Sequence, residues 1–388
     1  MAGDGRLTIL HTDFHRGWGG QINRVLAECR GLAARGHTVM LAVPGDGKPA
    51  ATARGEGLAV FGDVRFRPKR EAVSLVRDAL TLRRLLSAYA PDIVNSHGSQ
   101  DTWATALARQ LMPRAARPVQ LYTRHNTKRV RDTAVNRWLF GRGLDGLIVV
   151  APEVKDRFRG VIASGALDAA AIPAIHSPLR PEVAAPVRPP DRAKVRREVG
   201  AQESDLLAGT VARLVPDKGQ EHLIDALAIL APEWPRLSVV LAGDGEATAA
   251  LKARAVRLGL ADRVHFLGYR DDVTDVYAAL DIAVLPAVDC DASSGMIKEA
   301  LASRVPVVAT EIGAARELTG DGKYGIVVPP RDAAALAGAI GAMARELPAW
   351  TARAAEGERF VRARFTRERM IDELEAAYRA ALVRAGRA

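Results

Sequence analysis

The stretch Gly209–Leu227 reads GTVARLVPDKGQEHLIDAL, which is an apolar run, a short polar loop and the start of an amphipathic pattern. We predict a strand over Leu206–Arg213 and a helix over about Gly219–Leu230, because the apolar residues change from a continuous run to helical spacing. The same alternation continues along the chain to Gly325–Pro330. Strands that alternate with helices predict a parallel sheet with helices on both faces.

The first half of the chain repeats this pattern. It predicts five strands and three long helices, which are Arg6–Asp13, His37–Pro44, Asp92–His97, Val119–His125 and Gly146–Ala151, and Gly19–Gly36, about Glu71–Tyr89 and about Asp101–Leu111. The fold class is therefore α/β, with two Rossmann-like, doubly wound parallel-sheet domains facing a cleft. Ligands of open parallel sheets bind beyond the carboxyl ends of the strands, so we expect functional residues there.

A proline-rich segment, Ser177–Asp191, separates the two halves and contains five prolines. Proline lacks the backbone donor and fixes φ, so we predict a linker rather than a sheet member. We place an N-terminal domain at residues 1–180, the linker at 181–200 and a C-terminal domain at 201–355.

Length and composition indicate a globular protein with two cores, because the chain has 388 residues, of which 48% are hydrophobic. The two cysteines, Cys29 and Cys290, lie far apart, so we predict no disulfide and a reducing compartment. No apolar run reaches the roughly 18–20 residues of a membrane-spanning helix, and the N-terminus lacks a signal-peptide pattern, so we expect a cytoplasmic protein. The net charge of +10 favours anionic partners.

Two cations follow the strand of the opening stretch, Arg213 at its end and Lys218 just before the helix. A helix N-terminus already favours an anion, and a guanidinium and an ammonium beside it can bind phosphate oxygens. This arrangement predicts a diphosphate site that needs no metal. The alternative is a pair of solvated surface charges.

Two carboxylates, Asp291 and Glu299, lie eight positions apart around a predicted helix start near Gly295. Ser293 and Ser294 supply a capping hydroxyl and approachable backbone N–H groups. One carboxylate can address the hydroxyls of a sugar while the other addresses a ribose diol. The alternative is a turn residue and a solvated helix residue.

These residues belong to an ordered set, which consists of Gly209, Arg213, Lys218 and Gly219, then Gly243-Asp244-Gly245, Phe266-Leu267-Gly268, Glu299-Ala300 and Pro306-Val307-Val308-Ala309. The set resembles the motifs of the retaining GT-B glycosyltransferases of family 4, also called the glycosyl transferase group 1 family. Each piece is common, whereas the ordered set between about Gly209 and Pro330 is highly specific.

The resemblance implies a role for each of these residues. Arg213 and Lys218 would hold the donor diphosphate and stabilise the leaving nucleotide, and Glu299 would bind the ribose. Asp291 stands where the family usually has a glutamate that contacts the transferred sugar, which leaves the identity of the sugar open. Further donor contacts are implied for Gly243, Tyr269, Ser294, Gly295 and Met296.

The first half matches the family more loosely. Gly19 and Gly20 open the first long helix, as in the family's Gly-Gly loop near the donor. His97 ends a strand where the family often has a histidine lining the sugar site, although a buried structural histidine is the alternative. The next strand ends in the candidate acceptor-binding residues Arg124, His125 and Asn126. The resemblance also implies that residues 356–388 form a C-terminal helix that crosses back to the N-terminal domain.

The implied reaction is transfer of a sugar, with retention of configuration, from a nucleotide sugar to a lipid-linked or saccharide acceptor in cell-surface glycan or lipopolysaccharide assembly. The resemblance implies no cofactor and no metal, so we reject a metal-binding interpretation of Asp289-Cys290-Asp291. Two alternatives stay open. One is a catalytically silent nucleotide-sugar-binding protein, which the aspartate at 291 favours, and the other is a sugar-nucleotide epimerase on the same fold.

Basic residues crowd two segments, Val64–Leu86 and Thr123–Arg142, and the second also contains Trp138, Leu139 and Phe140. A basic face beside exposed aromatics suits docking on an anionic membrane, here the inner face of the cytoplasmic membrane. The alternative is a set of solvated arginines. We predict no nucleic-acid partner, because no recognised nucleic-acid-binding module is present.

Overall fold

The sequence folds into two units in the computed structural model, which describes residues 5–67, 72–186, 188–289 and 291–387. The first unit combines Met1–Pro178 with Arg367–Ala388, and the second is Leu179–Thr366. Each unit contains one six-stranded sheet whose neighbouring strands all run parallel. The predicted α/β class with two doubly wound sheets is therefore confirmed.

The strands of the first unit are β1 Thr8–Thr12, β2 Thr38–Ala42, β3 Ala59–Phe61, β4 Ile93–Ser96, β5 Val119–Arg124 and β6 Gly146–Val149. Its helices are α1 Gly20–Ala34, α2 Lys48–Gly55, α3 Ala72–Tyr89, α4 Ser99–Gln110, α5 Ala134–Trp138, α6 Arg159–Ala163 and α16 Arg367–Arg384. Strands β4 and β5 are buried at every position, as expected when helices cover both sides of a parallel sheet.

The strands of the second unit are β7 Leu206–Val211, β8 Leu237–Ala242, β9 Val264–Gly268, β10 Ile282–Leu285, β11 Val307–Thr310 and β12 Gly325–Val328. Its helices are α7 Pro181–Ala184, α8 Arg192–Glu198, α9 Gln220–Leu230, α10 Thr248–Arg257, α11 Val273–Ala279, α12 Gly295–Ala302, α13 Ala315–Leu318, α14 Ala333–Arg345 and α15 Leu347–Arg364. A 3-10 turn, Pro216–Lys218, precedes α9.

Both sheets have the same topology. The strand order is β3-β2-β1-β4-β5-β6 in the first unit and β12-β11-β10-β7-β8-β9 in the second. In each order the chain starts in the middle of the sheet and winds outward in both directions, so the order reverses between β1 and β4 and again between β7 and β10. Ligands of doubly wound sheets bind at such switch points, beyond the carboxyl ends of the strands.

The C-terminal residues form two helices rather than the single helix predicted over 356–388. The first of them, α15, belongs to the second unit, and Phe365 and Thr366 separate it from α16, which belongs to the first. In the first unit α16 packs on α1, where a Cβ on Gly31 would collide with the Ile371 side chain. The buried side chains of α16 join the core formed by α1, β1 and β2, and they include Met370, Leu374 and Tyr378.

The segment predicted as a linker, 181–200, is mostly helical and packs within the second unit. Pro181 starts α7, where its missing N–H costs nothing, and the Asp191 carboxylate caps α8 by accepting from the Lys194 N–H at 3.1 Å. The Arg196 side chain is 3% exposed and donates to Asp281. The segment is therefore not an irregular connection throughout, because proline can occupy the first position of a helix, as Pro181 does.

Several other expectations differ from the structure in detail. The sequence patterns did not predict α2 or β3, whose apolar runs are too short to stand out. Glu71, the predicted start of α3, and Cys290 lie outside the described residues, while Cys29 is buried with a free thiol. None of the helices in the described ranges is long and apolar enough to span a membrane.

Candidate active site

The loops at the switch point of the second unit contain four of the predicted donor residues, among them both cations. Arg213 and Lys218 lie in the loop after β7, and Asp291 lies in the loop after β10, the neighbouring strand in the sheet. The Lys218 Nζ donates to Asp291 Oδ2 at 2.7 Å, across 73 residues of sequence. The fold therefore brings together the cation predicted to bind phosphate and the carboxylate predicted to contact the sugar.

The loop after β7 has a fixed backbone. Gly219 adopts the left-handed conformation at φ 63, and a Cβ there would collide with the Pro286 carbonyl oxygen of the loop after β10. A Cβ on Gly243, whose φ is +146, would collide in the same way with the Ala212 carbonyl oxygen. The Gln220 side-chain amide donates to the Arg213 carbonyl at 2.9 Å. These close approaches position the backbone on both sides of Lys218.

The Arg213 side chain is exposed, and it makes no ion pair with any of the residues that the structure describes. The adjacent helix α9 has Gly219 at its N-cap, so no side chain caps the first N–H groups of this helix. Those N–H groups and the positive end of the helix dipole favour an anion, and the unpaired guanidinium adds a bidentate donor. The structure therefore has the free cation and the free helix N–H groups on which the predicted phosphate site depends, and the site itself stays a prediction.

The loop before α12 has a different structure from the one predicted. Ser294 is the N-cap residue, but its hydroxyl donates to the Asp291 carbonyl at 3.3 Å and makes no capping bond. Its backbone is left-handed at φ 44, and its N–H donates to Asp291 Oδ1 at 2.9 Å. The predicted capping hydroxyl was therefore wrong. Gly295 begins α12 partly exposed, whereas Met296 is buried.

Glu299 is held by two residues that sequence analysis did not identify. The Arg180 Nε donates to Oε1 at 2.6 Å and its Nη2 donates to Oε2 at 2.6 Å. The Tyr277 hydroxyl donates to Oε2 at 2.8 Å. Burial would lower the pKa of Arg180, but the Glu299 carboxylate raises it above its ordinary value. Burial and the same carboxylate raise the pKa of Tyr277 well above 10.

Tyr269 and the paired glycines of the first unit are open to solvent. Tyr269 follows β9 and is 68% exposed. Gly20 is the first residue of α1, and a Cβ on Gly19 or Gly20 would meet no described atom within 4 Å. Protein packing therefore does not require glycine at these two positions, which leaves room for a ligand.

A chain of three histidines lies at the switch point of the first unit. His11 Nδ1 and His97 Nε2 are 3.0 Å apart, and His97 Nδ1 and His125 Nε2 are 2.9 Å apart, at hydrogen-bonding distance. Burial lowers the pKa of His11 to about 3 and holds the pKa values of His97 and His125 well below the ordinary 6.5. At neutral pH the three imidazoles are therefore uncharged.

The His97 side chain is 0% exposed, and both of its ring nitrogens are used within the unit. The structure therefore places it in the interior, as expected of a structural histidine, and its contact with a sugar stays a prediction. Its backbone N–H and that of Gly98 donate to Asp101 Oδ2 at 2.9 and 3.1 Å. Asp101 is fully buried, and burial together with the Asp13 carboxylate raises its pKa to about 8.

The predicted acceptor residues differ in exposure. The Arg124 guanidinium is buried and donates to the Tyr122 hydroxyl at 2.9 Å and the Lys128 carbonyl at 2.8 Å, and its contact with an acceptor stays a prediction. His125 and Asn126 are partly exposed. The prediction of exposed aromatics in this segment was also wrong, because Leu139 and Phe140 are buried and Trp138 stacks on Trp103.

One group of residues among those described has the spacing of a metal site. Nitrogen and oxygen atoms of His11, Glu28 and His97 lie within 4.8 Å of one another. However, the Arg24 Nε donates to Glu28 at 2.6 Å, and the two histidines bond each other. The guanidinium charge opposes a cation at this point, so we assign no metal there, and metal independence stays a prediction.

Comparisons with known proteins find matches to both halves of the chain. Residues 206–346 match the family model described as Glycosyl transferases group 1, and residues 18–167 match the model described as Glycosyltransferase Family 4. The chain belongs to the family 4 glycosyltransferases. Both halves of this glycosyltransferase therefore match, including the half in which the sequence motifs were weaker.

Two curated relatives of this glycosyltransferase act on cell-surface glycans, by their names. An exopolysaccharide phosphotransferase of Streptomyces coelicolor is 29% identical over 280 residues, which are 70% of this chain and 27% of that protein. The lipopolysaccharide core biosynthesis mannosyltransferase LpsB of Rhizobium meliloti is 30% identical over 174 residues, 43% of this chain and 49% of that protein. The chain thus spans about a quarter and about half of these relatives.

A solved structure confirms the GT-B fold of this glycosyltransferase. HepE of Anabaena, in complex with UDP-glucose, superposes with a TM-score of 0.80 over 97% of this chain and all of that one, at 22% identity. At this identity the likeness supports the fold and does not by itself extend to the ligand.

Proposed function

We propose that this glycosyltransferase moves a sugar from a nucleoside-diphosphate sugar to an acceptor with retention of configuration. The observation that carries the proposal is the 2.7 Å contact between Lys218 and Asp291 at the switch point of the second unit, beside the exposed Arg213 and the uncapped start of α9. A lysine ammonium has three donors, so a phosphate oxygen can bind while the aspartate is still held. The complex of HepE with UDP-glucose supports a nucleotide-sugar donor.

The proposed chemistry requires mainly that charge on the departing phosphate be stabilised. Glycosyl transfer passes through an oxocarbenium-like state, and negative charge grows on the leaving diphosphate. Arg213, Lys218 and the N–H groups of α9 are cations and dipoles already positioned for that charge. We propose that the leaving phosphate accepts the proton of the acceptor, which attacks the same face, and that no divalent metal takes part. Asp291 addresses the sugar hydroxyls and Glu299 the ribose.

A panel of UDP-, GDP- and ADP-sugars tests this function directly. A donor that binds the folded protein raises its melting temperature by mass action, and titration calorimetry then gives its affinity. Release of free nucleoside diphosphate with each donor, in the presence and absence of saccharide acceptors, measures turnover, and the anomeric proton of the product shows whether configuration is retained. Binding without turnover under all conditions would support the silent sugar-binding alternative instead.

The names of the two relatives support an acceptor in exopolysaccharide or lipopolysaccharide assembly, and such acceptors are often carried on lipid. One face of α3 suits a peripheral site on an anionic membrane. Val73, Val76 and Leu80 on this helix are 84%, 55% and 40% exposed. The same helix has three exposed arginines, Arg77, Arg83 and Arg84. None of them forms an ion pair with a residue in the described part of the chain. Apolar side chains interleaved with cations favour an anionic bilayer surface.

Co-sedimentation with vesicles tests this docking surface. The protein should bind vesicles that contain phosphatidylglycerol and not those of phosphatidylcholine alone, and added salt should weaken binding. The double variant Val73→Ser/Val76→Ser should bind less tightly. The matched control is Ile229→Ser/Val256→Ser, whose side chains in the second unit are 54% and 66% exposed. Equal loss in both variants, or none in the first, would contradict a role for α3.

A further inference from the structure

The carboxylate of Glu299 is almost fully occupied by groups of the protein itself. Arg180 binds both oxygens in a bidentate fork, at 2.6 Å to each, and Tyr277 adds a bond to Oε2 at 2.8 Å. A carboxylate has about four acceptor positions, two on each oxygen. Three of them are filled, and the remaining one is on Oε1. The two hydroxyls of a ribose diol therefore cannot both bond to Glu299 while Arg180 stays in place.

The guanidinium of Arg180 presents the same pattern of donors as a ribose diol does. Its two N–H groups point side by side at the two oxygens of one carboxylate, as two neighbouring hydroxyls would. Tyr277, which is fully buried, makes its bond to Oε2 from another helix and does not block Oε1. The diol and Arg180 therefore compete for the same oxygens.

Arg180 is placed so that its side chain can leave without disturbing the backbone. Its carbonyl accepts from the Val183 N–H at 3.0 Å and the Ala184 N–H at 2.8 Å, which fixes the backbone at the start of α7. The side chain is 35% exposed, whereas that of Glu299 is 9% exposed. A released guanidinium can therefore return to water, where an arginine is well solvated, while the carboxylate stays in its pocket.

We propose that Arg180 is an internal competitor of the donor ribose, which occupies Glu299 in the free protein and must be displaced when a nucleoside diphosphate binds. The proposal rests on the proposed function, because it takes Glu299 as the ribose-binding residue. The competitor lowers affinity for every nucleotide that uses the diol. When the donor enters, the displaced Arg180 guanidinium becomes a free cation next to an anionic ligand. Donor binding and movement of Arg180 are therefore coupled.

The test compares a nucleoside diphosphate with its 2′,3′-dideoxy analogue. The probe is UDP, GDP or ADP, whichever binds the wild type most tightly by titration calorimetry. In the wild type the diol should improve affinity only a few-fold, since its bonds replace those of Arg180. In Arg180→Met, which keeps the apolar stem and removes the donors, the diol should improve affinity by about tenfold or more, the amount expected for bonds to a charged acceptor.

Two further variants keep the proposal falsifiable. Arg304→Met is the matched control, since Arg304 also pairs with a glutamate of the second unit, Glu358, and is exposed. It should leave the affinity ratio unchanged. Tyr277→Phe leaves Arg180 in place but frees the second acceptor position on Oε2, so the diol effect should lie between those of the wild type and Arg180→Met. Circular dichroism and melting temperature show whether each variant is folded, and Arg180→Lys, which keeps the charge but loses the fork, replaces Arg180→Met if that variant does not fold.

The outcomes separate this proposal from the function on which it rests. An unchanged or smaller diol effect in the Arg180 variant, with nucleotide still bound, overturns the competitor and shows that Arg180 orients Glu299 for the ribose. Failure of both the wild type and the Arg180 variant to bind any of the three nucleotides overturns the proposed function, and the competitor with it. Nucleotide binding by the Arg180 variant but not by the wild type would support the proposal, since Arg180 would then prevent binding altogether.

Discussion

Asp101→Asn should change how the stability of the first unit depends on pH. Asp101 is fully buried, and burial together with the Asp13 carboxylate raises its pKa from 3.8 to about 8. Between pH 4 and pH 8 the folded protein therefore holds one more proton at this site than the unfolded chain does. The wild type loses about 1.4 kcal/mol of unfolding free energy per pH unit over that window, an effect that the amide cannot show.

The wild type and Asp101→Asn should differ in the slope of the unfolding free energy against pH. The unfolding free energy of the wild type minus that of Asp101→Asn should fall by about 3 kcal/mol between pH 5 and pH 7. The amide oxygen can still accept from Thr12, His97 and Gly98, which now bond Asp101 Oδ2, so the fold around β4 should persist. The stabilisation of the protonated carboxyl is present at low pH and is lost as the pH rises through 8.

Urea unfolding at pH 5, 6, 7 and 8, with pulsed hydrogen exchange read by mass spectrometry on peptides from β4 and α4, reports the first unit separately. Asp46→Asn is the control, because the Asp46 side chain is 72% exposed and its removal should leave the pH slope unchanged. A difference between wild type and Asp101→Asn that stays constant over this range, or that rises with pH, would show that Asp101 does not hold an extra proton in the folded protein.

Three further predictions follow from the second unit and from the proposed chemistry. Gly219→Ala should destabilise the protein by more than the roughly 1–2 kcal/mol of a left-handed alanine, because its Cβ also collides with the Pro286 carbonyl. The control is Gly259→Ala, because Gly259 has φ +69 but no atom within 4 Å of a Cβ, so only the backbone strain remains. Its loss of unfolding free energy, measured with urea, should be smaller than that of Gly219→Ala, and equal losses would contradict the collision with Pro286. Asp291→Asn should lower turnover more than nucleoside-diphosphate affinity, since it removes the negative charge that pairs with Lys218 and alters a contact to the sugar. Steady-state kinetics beside calorimetry would show the opposite order if Asp291 only shapes the phosphate loop. Chelation with EDTA should leave turnover unchanged, and loss of activity that Mg²⁺ or Mn²⁺ restores would disprove metal independence.

The sequence predicted the fold well because its signals are local and repeated. A short apolar run followed by an amphipathic stretch determines a strand and a helix, and repetition of that unit in both halves determines two doubly wound sheets. The prediction was weaker wherever one residue type has two uses. Proline is excluded from a sheet interior but can begin a helix, so the proline-rich pattern does not predict the helices at Pro181–Ala184 and Arg192–Glu198.

The candidate site was predictable only in part, for a similar reason. Lys218 and Asp291 lie in loops after two strands that neighbour each other at the switch point, so topology alone brings them close. Arg180 is different, because no periodic pattern connects it to Glu299 across 119 residues. For His97, strand position was predictable, but the two histidines that enclose it were not, because they come from other strands.

We propose that Arg213 and Lys218 hold the donor diphosphate, and the double variant Arg213→Ala/Lys218→Ala removes both cations at once. Its matched control is Lys252→Ala/Arg257→Ala, which removes the same charge from the exposed side of α10. Calorimetry with the best-bound nucleoside diphosphate should show a loss of affinity of at least about a hundredfold in the first variant, with turnover abolished, and little change in the control. Nucleotide affinity and turnover that survive in the first variant would contradict the account.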